Sequence, residues 1–211
     1  MAAFNAAIAA GYGIECDVRA SHDGVPFVFH DADLRRMSRR AEAIATLNAD
    51  ALDDVRLPDG GAVPRLAALL ALCGDRTPLL IEIKAEGPHV RAPCRAVADA
   101  LTGREAAPVA IMSFNPHVVR WFARQRNGQL RGLVITRQGK GRLRRAVEQA
   151  LALWIARPDF LACDVRDLPT ALSRRARARG MPVLTWTVRS AADHERAARH
   201  ADQIIFEAAR E

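Results

Sequence analysis

The chain has 211 residues, 50% hydrophobic and 26% charged, which suits one soluble domain whose core needs neither disulfides nor a structural metal. No stretch approaches the roughly 18 consecutive apolar residues of a membrane span, and the alanine-rich start lacks the basic region of a signal peptide. The formal charge of +7 comes almost wholly from arginine, since Lys84 and Lys140 are the only lysines. The densest basic clusters, Arg142 to Arg145 and Arg174 to Arg179, fall in helix-like segments without interleaved aromatics. They therefore read as solvated faces rather than a nucleic-acid track, although a positive field also draws in small anions. Cys16, Cys73, Cys94 and Cys163 are far apart and form no CxxC pair, so a reduced, cytoplasmic protein without stable membrane insertion is expected.

In chain order, a helix is predicted over Ala2–Ala10. Strand-like runs follow at Gly13–Val18, Val25–His30, Pro78–Lys84, Val109–Phe114, Leu130–Thr136, Phe160–Val165, Pro182–Val188 and Gln203–Phe206. Helical patterns lie near 64–74, 90–102, 116–127, 141–156, 168–179 and 191–200. Strands alternating with helices imply parallel pairing and an α/β fold. The exception is Arg19–Gly24, too short for a crossover helix, where Asp23-Gly24 signals a two-residue hairpin turn. That turn predicts a register in which Asp17 faces His30. Without the hairpin's return strand, seven parallel strands remain, one short of a closed barrel. Either the sheet is open or its first strand is missing. No linker or repeat divides the chain, so residues 1–211 read as a single domain.

Three segments could carry chemistry. Glu15 and Asp17 share one face of an otherwise apolar strand, and their mutual repulsion calls for compensation by a divalent cation, or more plainly by loop amides or Arg19. Glu82 and Lys84 likewise share a face, at the carboxyl end of a buried-looking strand where parallel α/β folds place their sites; a self-neutralising ion pair is the simpler reading. His30, next to Asp17 in the predicted register, is a candidate general acid or base. His22, His89, His117, His194 and His200 lie in a turn, near helix starts or on an arginine-rich helix, and read as solvated. Trp186 is either core or a surface for substrate packing.

Glu-x-Asp in Ile14–Val18, DGVPFVFHD over Asp23–Asp31, VPRLAALL over Val63–Leu70, IEIK over Ile81–Lys84, Ser113-Phe114, PVLTWTV over Pro182–Val188 and ADQIIF over Ala201–Phe206 occur in a distinctive order. Together they resemble the glycerophosphodiester phosphodiesterase family, among the phospholipase-C-like phosphodiesterase barrels. The resemblance implies a TIM-type (β/α) barrel and a lipid- or glycerol-metabolising hydrolase that converts glycerophosphodiesters into an alcohol and glycerol 3-phosphate. It implies Glu15, Asp17 and Glu82 as ligands of Ca²⁺ or Mg²⁺, His30 as one of an acid/base pair, and Lys84 and Trp186 as substrate contacts. In the family's mechanism a glycerol hydroxyl attacks phosphorus and expels the alcohol, and water then opens the cyclic phosphodiester.

The family pattern opens with a strand carrying His-Arg-Gly and a loop containing Glu-Asn, neither of which occurs here. The expectation is therefore a barrel without its first strand, N-terminally truncated relative to the family. Its function is either phosphodiester hydrolysis or binding of a cation or phosphodiester without turnover.

Overall fold

The structure is a computed structural model that describes residues 1–38, 40–125, 128–137 and 142–207. Lys140 and the side chains of Arg142 to Arg145, read above as solvated, lie outside the described residues, whereas Arg174, Arg175, Arg177 and Arg179 are exposed as expected. The chain forms two compact units, Met1–Ile111 with Gln125–Gln129, and Met112–Arg124 with Leu130–Glu211.

The first unit runs α1 (Ala2–Ala9), β1 (Ile14–Ala20), β2 (Pro26–Val28), α2 (Arg35–Ser38), α3 (Ala49–Asp53), α4 (Leu66–Cys73), β3 (Leu79–Ile83) and α5 (Arg91–Ala100). In β1, Ile14, Cys16 and Val18 are buried and alternate with Glu15, Asp17 and Arg19, the two-residue period of a strand with one apolar face. Strand β1 pairs in parallel with β3, which places Cys16 opposite Ile81 and Asp17 opposite Glu82. Helix α4 buries Leu66, Leu69, Leu70 and Cys73, the spacing of one helical face.

Strand β2 runs antiparallel to β1, as the hairpin predicts, but one residue out of the expected register. Val18 faces Val28 and Arg19 faces Phe27, and the Phe29 amide donates to the Asp17 carbonyl at 2.9 Å. The loop holds three residues, His22-Asp23-Gly24, rather than two. Gly24 adopts φ +84°, which closes such a loop with a left-handed residue. Strand β2 is also shorter than predicted. After Val28 the chain leaves the sheet and packs Phe29, Leu34, Ile44, Leu52, Val55 and Val63 into a small core with Phe27.

Strand β4 (Val109–Ser113) spans the boundary between the units. The second unit continues with α6 (Pro116–Gln125), β5 (Leu130–Ile135), α7 (Arg142–Ala156), β6 (Phe160–Asp164), α8 (Ala171–Ala178), β7 (Val183–Val188), α9 (Ala191–His200) and β8 (Gln203–Phe206). Strands β5, β6, β7 and β8 pair in parallel in that order. Gly132 faces Phe160 across β5 and β6, and a Cβ there would overlap the Phe160 ring. Helices α8 and α9 start with capping boxes from Thr170 and Ser190. The alternation of strand and helix is the α/β arrangement the sequence predicts. No helix among the described residues is long and apolar enough to cross a membrane.

Candidate active site

The parallel pairing of β1 and β3 assembles the site in the first unit. Asp17 lies directly across from Glu82, and Glu15 stands two residues earlier on the same face as Asp17. Ligand oxygens of Glu15, Asp17 and Glu82 all lie within 4.8 Å of one another. Lys84 follows β3, and its Nζ is 2.9 Å from Asp17 Oδ1 and also bonded to Glu82. One ammonium thus faces three carboxylates, of which Glu82 is buried.

The electrostatics follow from burial and crowding. Burial, reinforced by Asp17 and Glu82, pushes the Glu15 carboxyl up to about 8. Burial also raises Glu82, against the opposing pull of Lys84. Burial acts to lower Lys84, but Glu82 and Asp17 outweigh it and hold the ammonium above its ordinary value. The cluster is therefore short of positive charge. Ligand atoms on opposite sides of one Ca²⁺ lie up to about 5 Å apart, so three carboxylates gathered this closely form a fitting donor set for a hard divalent cation. Arg19, the alternative partner for these acids, instead binds Glu86 at 3.2 Å and the His30 carbonyl at 3.0 Å.

His30 is exposed and does not face Asp17 as the predicted register has it; Phe29 takes that place. The chain bends away after Val28, and His30 still acts electrostatically on Glu82, favouring its ionised form. Its Nδ1 lies 2.8 Å from Asp31 Oδ1, while Asp31 Oδ2 accepts from Arg36 Nε at 2.6 Å. Hydrogen bonding from Arg36, aided by His30, keeps Asp31 below the usual carboxylate range. Nothing in the sequence pattern joins Arg36 to the His30-Asp31 dipeptide except its place five residues later. Among the other histidines, His22 lies in the hairpin loop, 3.3 Å from Asn48 Oδ1.

Trp186 belongs to the second unit. It is half-buried on β7, donates from Nε1 to the Ala162 carbonyl at 3.1 Å, and meets Phe114 edge-on with ring centres 5.5 Å apart. The four cysteines are free and buried.

The sequence profile of the Glycerophosphoryl diester phosphodiesterase family matches residues 1–206. No curated protein matches the sequence. Among solved structures, a provisionally named glycerophosphoryl diester phosphodiesterase from Silicibacter pomeroyi is 25% identical, with TM-score 0.81 over 98% of this chain and 83% of its own. A glycerophosphodiester phosphodiesterase from Thermotoga maritima is also 25% identical, with TM-score 0.76 over 97% and 86%. A phosphodiesterase from Oleispira antarctica, in complex with its product sn-glycerol-3-phosphate, is 18% identical, with TM-score 0.78 over 96% and 84%.

Proposed function

Because the chain belongs to the glycerophosphoryl diester phosphodiesterase family, whose members are phosphoric diester hydrolases, we propose that it converts glycerophosphodiesters into an alcohol and glycerol 3-phosphate. The observation that carries this reading is the convergence of Glu15, Asp17 and Glu82 within 4.8 Å beside a single lysine. Those three side chains are the proposed ligands of Ca²⁺ or Mg²⁺, which when bound would hold a phosphate oxygen and offset charge building at phosphorus. The product complex of the Oleispira antarctica protein supports a small phosphate-bearing substrate.

Each residue then has a role. Lys84, tied to Asp17 and Glu82, is the cation that turns to the substrate phosphate once those carboxylates are otherwise engaged. His30 is one of an acid/base pair. With Nδ1 held by Asp31, Nε2 is left to take the proton of the attacking glycerol hydroxyl, or to return it when water opens the cyclic phosphodiester. Trp186 is proposed as an apolar contact for substrate on the resemblance of its strand, its indole N–H being already bonded. The family match runs through both compact units and supports reading residues 1–211 as one domain. Four free thiols favour the cytoplasm, and arginine clusters without interleaved aromatics favour a small-molecule substrate over nucleic acid.

A second reading is binding of a cation or phosphodiester without turnover. It rests on the same cluster of Glu15, Asp17 and Glu82, which would hold a cation with or without turnover. The test is release of glycerol 3-phosphate from glycerophosphocholine with Ca²⁺ or Mg²⁺. Release that is lost in His30→Ala supports hydrolysis. No release, together with cation-dependent stabilisation, supports the second reading, and full activity in His30→Ala overturns the role of His30.

A further inference from the structure

Helix α7 breaks the rule its neighbours obey. Helices α8 and α9 turn arginine, glutamate and histidine toward solvent, as surface helices do. On α7 the solvent side is apolar. Val147, Leu151 and Trp154, spaced i, i+4 and i+7, are 63%, 53% and 68% exposed, and Ala146 and Ala150 beside them are exposed too. The opposite side packs Ala152, Leu153 and Ala156 into the core of the second unit. An exposed apolar stripe of this kind marks an interaction surface.

Charge identifies the partner. The first turn of α7 carries Arg142, Arg144 and Arg145 with no acidic residue, and exposed Arg157 follows the last turn. In the sequence, arginines thus precede and follow the stripe. Among the described residues the stripe holds three large side chains, which offer far less than the roughly 800 Å² per partner of a stable protein interface. A second copy would also bring the same +7 charge against itself. We propose that α7 docks the protein on an anionic phospholipid surface, lying in the interface plane with Val147, Leu151 and Trp154 among the headgroups, exposed Arg157 beside them and the net charge of +7 drawing the chain to the surface. An amphipathic helix with arginine and an interfacial tryptophan fits that environment, and the helix rests on the surface without spanning it. This surface is independent of the acidic cluster and does not require turnover.

The experiment uses the full 211-residue chain with vesicles of phosphatidylcholine, alone or mixed with phosphatidylglycerol, read by flotation and tryptophan emission. Binding to the anionic vesicles is expected to be at least about tenfold tighter than to neutral ones, to weaken with salt, and to shift emission to the blue. The double variant Val147→Glu, Leu151→Glu retains Trp154 as reporter and is expected to lose about tenfold in vesicle affinity. Its thermal midpoint should match the parent's; Trp154→Ser, read by flotation, serves if it does not. Equal binding to both vesicles, or binding to neither, overturns the proposal. So does a concentration-dependent dimer in sedimentation velocity that the double variant dissolves.

Discussion

Asp17 and Glu82 sit directly opposite each other in the parallel register of β1 and β3, and both are bonded to the ammonium of Lys84. Removing the ammonium leaves the carboxylates crowded together without compensation. Lys84→Met should therefore destabilise the cation-free protein by about 3 kcal/mol in denaturant unfolding. Added Ca²⁺ or Mg²⁺ should recover much of that loss, since it would supply the missing positive charge.

The Glu15 carboxyl gives the site a definite pH dependence. Its value is near 4.5 in the unfolded chain and about 8 in the folded one, where burial and neighbouring acids oppose ionisation. Between those limits the folded state binds more protons than the unfolded state. Cation-free stability therefore falls as pH rises from about 4.5 to about 8 and levels off beyond it. Glu82, raised in the same direction, steepens the slope. Thermal melts across this range should show the decline, and Glu15→Gln should flatten most of it.

Cation binding should run the opposite way with pH, because the ligands must lose their protons. Thermal shift with Ca²⁺ or Mg²⁺ should increase toward pH 8. Asp17→Asn should abolish the shift. It should leave the cation-free protein at least as stable as the parent, since it removes one of three crowded charges.

Gly132 tests the packing of the second unit. A methyl group there meets the Phe160 ring, which is 5% exposed and has little room to move. Gly132→Ala should cost about 1–3 kcal/mol by denaturant unfolding, and Phe160→Leu in the same chain should return part of it.

Much of this architecture is legible in the sequence because, outside the β1–β2 hairpin, short apolar strand runs alternate with helical patterns. Ile14–Ala20, Leu79–Ile83 and Val183–Val188 fall within two residues of their predicted bounds. The Glu-x-Asp and Glu-x-Lys pairs are legible for the same reason, since alternation alone puts each pair on one face. Their meeting is not, because it depends on Asp17 facing Glu82 across two strands separated by some sixty residues of chain. The hairpin register failed on a local choice. Asp-Gly suits both two- and three-residue loops, and Gly24 closes the longer one, which moves Phe29 into the place expected for His30. Arg35–Ser38 and Ala49–Asp53 form short helices that alternation does not reveal, because Met37, Ala49 and Leu52 are ordered by packing in the core of Phe27 and Phe29.

The Arg36–Asp31–His30 chain is the feature the sequence concealed, and it makes the sharpest functional prediction. Asp31 holds Nδ1 of an otherwise exposed imidazole, and Arg36 fixes the carboxylate that does so. If His30 moves a proton, its ring must present Nε2 in one orientation, whereas the proposal gives binding of the phosphodiester to the acidic cluster and Lys84. Asp31→Asn should therefore lower kcat on glycerophosphocholine by about tenfold to a hundredfold, with KM changed by no more than about twofold. Arg36→Ala should act in the same direction but less, because Asp31 keeps its bond to His30. A rise in KM with kcat intact would instead place Asp31 in substrate binding, and steady-state kinetics on the two variants separates the cases.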